Sequence, residues 1–239
     1  MPCALCLKES VLLHSHIVPE FLHRRLYDDR HRTLIVGIKR RTKVIQKGVR
    51  ERLLCSDCEG RLQRYEDYFS RLWYQDRPVP SCADGEIFNL ENVDYARFKL
   101  FILSIVWRAG VSTSSEFEST NLGPHADRIR RMLLSDDAGA ESEYPVMGGL
   151  IIDPDSGMLW DKLLLVPATI RVARHWAVRM VFAGVSWTVL TSSHRAPDLT
   201  PLFLKEDGTM PMLALSWRKS ADVSRLVEVV HKTEAPNLR

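Results

Sequence analysis

Met1-Pro-Cys-Ala-Leu-Cys6 and Leu53-Leu-Cys-Ser-Asp-Cys-Glu59 are the two stretches that decide how this chain folds. Each holds a Cys-x-x-Cys turn, the spacing that lets two thiolates reach one metal ion, and two such turns complete a four-sulfur tetrahedral site. Cys3, Cys6, Cys55 and Cys58 are therefore expected to bind one structural Zn²⁺. Thioredoxin-like redox chemistry would use a single pair beside a βαβ pattern, which is absent here. The chain opens directly on Met-Pro-Cys, without a signal-peptide pattern, so disulfides are not expected and a cytoplasmic location is. With all four positions filled by sulfur the ion would have no open coordination site, and any chemistry must come from residues that it positions. Cys82, in the loop Pro80-Ser-Cys-Ala-Asp-Gly85, reads as an unrelated free thiol.

Working outward, Leu12–Val18 reads as a short strand ending at Pro19, and Pro19–Tyr27 as a helix with proline at its start. Thr33–Ile38 and Thr42–Gln46 alternate around a basic tip and read as a hairpin. Leu62, Tyr65, Phe69 and Leu72 lie at helical spacing after the second cysteine pair. A knuckle, a hairpin and a helix carrying the second ligand pair make a treble clef, assigned to residues 1–78.

Charge follows the same division. Residues 1–78 hold 16 Lys/Arg against 10 Asp/Glu, whereas residues 79–239 hold 17 against 20. A basic N-terminal part on a slightly acidic body suggests a surface for a polyanion. Arg24, Arg25, Arg40, Arg41, Lys43, Lys47, Arg50 and Arg52 are the candidate nucleic-acid contacts, with solvent-facing charge as the alternative.

The order Cys-x-x-Cys, Ser15-His16-Ile-Val-Pro19 and Leu-Leu-Cys-x-x-Cys-Glu59 resembles zinc-bearing HNH endonucleases. It is more closely similar to a bacterial family classed with them, through Gln46-Lys-Gly48, Glu51, Tyr65-Glu66-Asp-Tyr-Phe69 and the stretch Phe98–Gly110 ending in Trp-Arg-Ala-Gly. The closer resemblance spans residues 1–110. It implies an HNH-like ββα module in which His16 is the general base and a Mg²⁺ or Mn²⁺ ion sits near Glu59, cleaving nucleic acid, DNA rather than RNA, in bacterial defence. The chain departs from the pattern twice: Ser15 stands where Asp or His is expected, and Glu59 where Asn or His is expected. Glutamate is a good hard-oxygen ligand and serine a weak one. His14, Glu51 or Glu66 could supply the missing ligand. The alternative is a module that binds nucleic acid or protein without cleaving. His16 would then be a structural histidine, and Glu59 a carboxylate favoured by the helix dipole.

Residues 79–239 are expected to form an α+β domain with a mostly antiparallel sheet and a possible protein-binding role. Asp94–Ala109 reads as a helix apolar nearly all round, and Pro124–Leu134 as a basic helix. Tyr144–Ile152, Leu163–Val166, Val178–Leu190 and Met212–Trp217 read as strands, and Ala221–His231 as a closing amphipathic helix. No phosphate-binding glycine loop or nucleophile elbow occurs there, and Ser192-Ser193-His194-Arg195 reads as a strand-end loop. The most apolar run, Phe98–Trp107, contains a lysine and falls far short of the roughly 20 residues a membrane span needs.

Overall fold

The computed structural model describes residues 1–24, 26, 32–36, 42–46, 48–76, 81–161, 163–192 and 194–219, and only the backbone of 32–36 and 42–46. The expected C-terminal helix and the boundary at residue 78 lie outside the described residues.

A two-stranded antiparallel ladder pairs β1 (Leu13–His16) with β4 (Arg50–Leu54). Between them run the short helix α1 (Glu20–Arg24) and the antiparallel pair β2 (Arg32–Val36) and β3 (Thr42–Gln46). Helix α2 (Ser56–Arg71) follows β4 directly and ends in a widened turn, 72–76. Cys58, Leu62, Tyr65 and Phe69 fall on its buried face, as their helical spacing requires, while Asp57 and Glu59 place negative charge in its first turn.

The chain is α+β, and its large sheet is mostly antiparallel. The strands are β5 (Ile87–Leu90), β6 (Val146–Ile152), β7 (Leu165–Val172), β8 (His175–Phe182), β9 (Val185–Leu190) and β10 (Met210–Ser216). They lie in the order β7-β8-β9-β6-β10-β5, and the β2–β3 pair extends the sheet beyond β7 through one parallel pairing, Val36 with Leu165. β6 with β10 is the other parallel pair. Helices α3 (Tyr95–Val111) and α4 (His125–Ser135) complete the elements that position the site. Asp94 caps α3 by accepting from the Arg97 N–H at 3.0 Å, and every residue from Phe98 to Ala109 is buried, which explains its apolar circumference.

Several expectations change in detail, and the strand expected at Leu163–Val166 runs instead over Leu165–Val172. Val178–Leu190 is two strands rather than one, folded back at Ala183 and Gly184, whose φ values of 54° and 73° make the left-handed two-residue turn that hairpin twist favours. A Cβ at Gly184 would also lie 2.3 Å from Leu159 Cγ, so this position is glycine on two counts. The loop around Cys82 is sewn to the sheet: Cys82 N–H donates to Gly157 O at 3.0 Å, and Gly85 N–H to Ala214 O at 2.8 Å. It leads into β5, a short strand with one buried side chain.

One contiguous set of buried side chains runs from Cys3 to Ala214. Phe69 of α2 is its hinge point. Its ring stacks 4.2 Å from Phe101 of α3 and 5.5 Å from Trp73, and meets Phe182 and Trp187 of the sheet edge-on at 5.8 and 6.1 Å. Trp73 in turn donates its indole N–H to Ala183 O at 3.1 Å. Truncating such a ring removes burial and leaves a cavity. Phe69→Ala is expected to cost roughly 3–5 kcal/mol. Urea unfolding checks this, and a loss under 1 kcal/mol would show that the stack is not what joins α2 to the sheet.

Candidate metal centre and adjoining polar site

The sulfur atoms of Cys3, Cys6, Cys55 and Cys58 all lie within 4.8 Å of one another. Local chain geometry brings them there. The first turn closes through Leu7 N–H to Cys3 O at 2.8 Å, with Leu7 at φ 63°, and Ala4 N–H donates to Leu53 O at 3.0 Å, fixing this turn against β4. Cys55 is the residue before α2, and its carbonyl accepts from Glu59 N–H at 2.9 Å as the helix opens. Its own N–H points at Cys3 Sγ, 3.4 Å away.

The donor set fits a metal ion. A tetrahedron with metal–sulfur bonds of about 2.3 Å has edges of about 3.8 Å, and Cys6 Sγ lies 3.8 Å from Cys55 Sγ. Burial pushes the Cys58 thiol above its ordinary value, and the thiols of Cys55, Cys3 and Cys6 push it the same way. A dication among them reverses that pressure by favouring thiolates. The arrangement is compatible with structural zinc. Cys82 stands apart, buried beside Gly157. Arg130 of α4, which sequence reasoning missed, donates to the Leu5 carbonyl inside the first cysteine turn at 3.0 Å and pairs with Asp127 at 2.8 Å.

Next to this centre, β1 and α2 bring together two of the positions marked by the resemblance. Ser15 is fully buried, and its hydroxyl donates to Glu59 Oε2 at 2.7 Å. His16 follows, half-buried, its carbonyl accepting from Arg108 Nη1 at 2.9 Å. Arg108 is itself 1% exposed and pairs with Glu66 at 2.8 Å. Burial raises the Glu66 carboxyl, and the Arg108 guanidinium opposes that. The Glu66 and Arg108 motif residues are thus a buried ion pair beneath β1, a role no local pattern reveals.

The other candidate ligands have partners too. Glu51, opposite Ser15 in the ladder, accepts from Thr113 N–H at 2.9 Å and Thr113 Oγ1 at 2.7 Å. His14 accepts from Arg52 Nε at 3.4 Å. Among the described residues the four cysteines are the one group of three or more His, Cys, Asp or Glu side chains spaced to share an ion.

Gly48, the glycine of the Gln-x-Gly motif, has φ 72°, and a Cβ there would lie 3.0 Å from His23 Nε2 and 3.5 Å from His16 Cδ2. The glycine lets the chain close over both rings. Of the candidate basic contacts, Arg24, Arg50 and Arg52 are exposed. Arg25, Arg40, Arg41 and Lys47 lie outside the described residues, as does the side chain of Lys43 on β3.

Comparison with protein-family models, curated proteins and solved structures finds no match.

The metal centre and His23 each carry a test. Elemental analysis of the purified protein is expected to find one zinc ion per chain, and Cys55→Ser should lose it and unfold the β1–β4–α2 unit, because such binding supplies folding free energy of order 10 kcal/mol. Well-folded protein without metal would overturn this. His23 is 1% exposed. Burial, and then the charge of His16, lower its pKa to about 4. The unfolded chain therefore takes up this proton first as pH falls. The contribution of neutral His23 is complete above the unfolded value of about 6.5 and is lost on the way down to about 4, a change of roughly 3 kcal/mol. Stability should fall more steeply between pH 6.5 and 4 in wild type than in His23→Gln. Equal slopes in urea titrations would exclude the histidine as the cause.

Proposed function

We propose that residues 1–71 form a zinc-stapled treble clef of the HNH type, and that the protein cleaves nucleic-acid phosphodiester bonds at the face formed by Ser15, His16 and Glu59. The observation that carries this reading is the 2.7 Å hydrogen bond from Ser15 to Glu59. It supports the reading because the sequence resemblance assigns these two positions to the catalytic cation, and the bond brings them together beside the strand that carries His16. The two-stranded ladder leading straight into α2, with a cysteine pair at each end of the unit, supports the same comparison.

In this mechanism His16, as neutral imidazole, takes a proton from the attacking water, whose oxygen forms the new bond to phosphorus as the bond to the leaving sugar oxygen breaks. Glu59, with the Ser15 hydroxyl beside it, would hold Mg²⁺ or Mn²⁺, which supplies charge stabilisation at the phosphate and leaving oxygen. Arg108 acts through the backbone: by holding the His16 carbonyl it fixes the strand end that aims the imidazole. Exposed Arg24, Arg50 and Arg52, with the other basic residues of that segment, would contact phosphates.

One observation favours a second reading, in which the module binds nucleic acid without cleaving it. Ser15 spends its proton on Glu59, Glu51 is engaged by Thr113 and Glu66 by Arg108, so the carboxylates near His16 already have partners.

Cleavage assays with Mg²⁺ and Mn²⁺ on duplex DNA, single-stranded DNA and RNA separate the two. His16→Ala is expected to lower cleavage by roughly 100-fold or more while leaving zinc content and melting temperature nearly unchanged. Glu59→Ala should lower it too, with partial rescue by excess Mn²⁺. Absence of cleavage with either ion, together with tight salt-sensitive binding, would leave the non-cleaving module as the function.

A further inference from the structure

The hairpin joining β7 to β8 carries the sequence Arg171-Val-Ala-Arg-His-Trp176 at one end of the large sheet, far along the chain from the basic N-terminal segment. Arg171 and Trp176 are cross-strand partners, so their side chains rise on the same face. The Arg171 guanidinium lies 4.5 Å from the Trp176 ring centroid. An indole covered on one side by arginine still leaves 52% of Trp176 in solvent. Ala173 at φ 51° makes the tight turn that pushes Arg174 outward. Among the described residues, Arg171, Arg174 and Arg195 are paired with no carboxylate.

On the neighbouring strand end, Thr191 N–H donates to Trp176 O at 2.9 Å, which fixes the backbone beneath the indole. Leu190 pairs with Ala177, so it and the cavity of about 380 Å³ that it lines with Phe203, His194 and Arg195 lie on the opposite face of the sheet from Trp176. Cations and an open aromatic face at one end of a sheet are the chemistry of single-strand capture: bases stack on the ring, and phosphates meet the guanidinium groups. A duplex offers no free base face to Trp176.

We propose that this hairpin end is a second nucleic-acid contact, a stacking platform for a single-stranded segment, with a base on Trp176 and the flanking phosphates on Arg171 and Arg174. The choice of ligand rests on the nucleic-acid function proposed above, but the platform is independent of whether His16 cleaves.

The test uses the zinc-loaded full chain and fluorescein-labelled oligothymidylate, in buffer without added divalent cation so that the strand stays intact. Trp176→Ala is expected to weaken binding roughly 5- to 150-fold, the range for losing one stacked base, and Trp176→Phe to retain most of it. Arg174→Ala, a change at an exposed turn residue, should reduce the log–log salt slope by about 0.7. If wild type and Trp176→Ala bind the oligonucleotide equally while both melt at the same temperature, the platform is refuted and the N-terminal nucleic-acid face survives. If the wild type binds no oligonucleotide at low salt, the platform falls, and cleavage by wild type against His16→Ala then judges the nuclease reading separately. If Trp176→Ala loses affinity for polyglutamate and not for oligothymidylate, the surface is for an acidic protein and the proposal is wrong.

Discussion

Four thiols held within 4.8 Å of one another, from two turns whose Cys3 and Cys55 are 52 positions apart, are the constraint on which the N-terminal architecture depends. Everything between Cys3 and Cys55 must leave and return to the same point. The ladder of β1 with β4 is the return path, and α2 starts where that path ends. Because Cys58 and Glu59 share the first turn of α2, the constraint that brings the Cys58 sulfur into the cysteine cluster also places a carboxylate against Ser15. The polar site is therefore a geometric by-product of the metal centre: without the four sulfurs together, nothing in either strand alone would hold Ser15 and Glu59 at bonding distance.

The rest of the chain grips this unit at three levels. Arg130 holds the first cysteine turn from α4, Arg108 holds the strand end and Glu66 from α3, and Phe69 stacks against the aromatic layer on the sheet. One of these grips, Arg108 with Glu66, is a largely buried ion pair. A buried ion pair adds little net stability over an apolar pair of the same size, but losing one partner strands the other. Arg108 and Glu66 therefore fix where β1 sits more than how stable the molecule is. That is the property a site built on a strand end requires.

What the sequence made readable was local. The cysteine pairs are visible because metal geometry demands a short fixed spacing, α2 and α4 because burial of one face imprints a helical period, and α3 because it is a long run apolar nearly all round. Val178–Leu190 hid its turn because Ala183-Gly184 lacks the asparagine, aspartate or proline that usually marks one. β5 escaped because four residues with one buried side chain leave no pattern to find. The site was half readable: Ser15, His16 and Glu59 could be singled out by order along the chain, but their partners could not. That Arg108 binds the His16 carbonyl, that Arg130 binds Leu5 and that Gly48 closes over His23 are contacts between distant segments, and one sequence carries no trace of them.

The pairing of β2 with β7 has a consequence for how the protein is made. Synthesis delivers all four cysteines and α2 well before β7, β8 and β9 leave the ribosome, so the metal can close its loop while the strands that receive the β2–β3 pair do not yet exist. During that interval β2 has a partner on one side only. An unpaired strand edge on a nascent chain is a template for a neighbouring copy. Translation speed through residues 72–172 thus sets how long crowded polysomes expose that edge, and early loading of metal does nothing to shorten the wait.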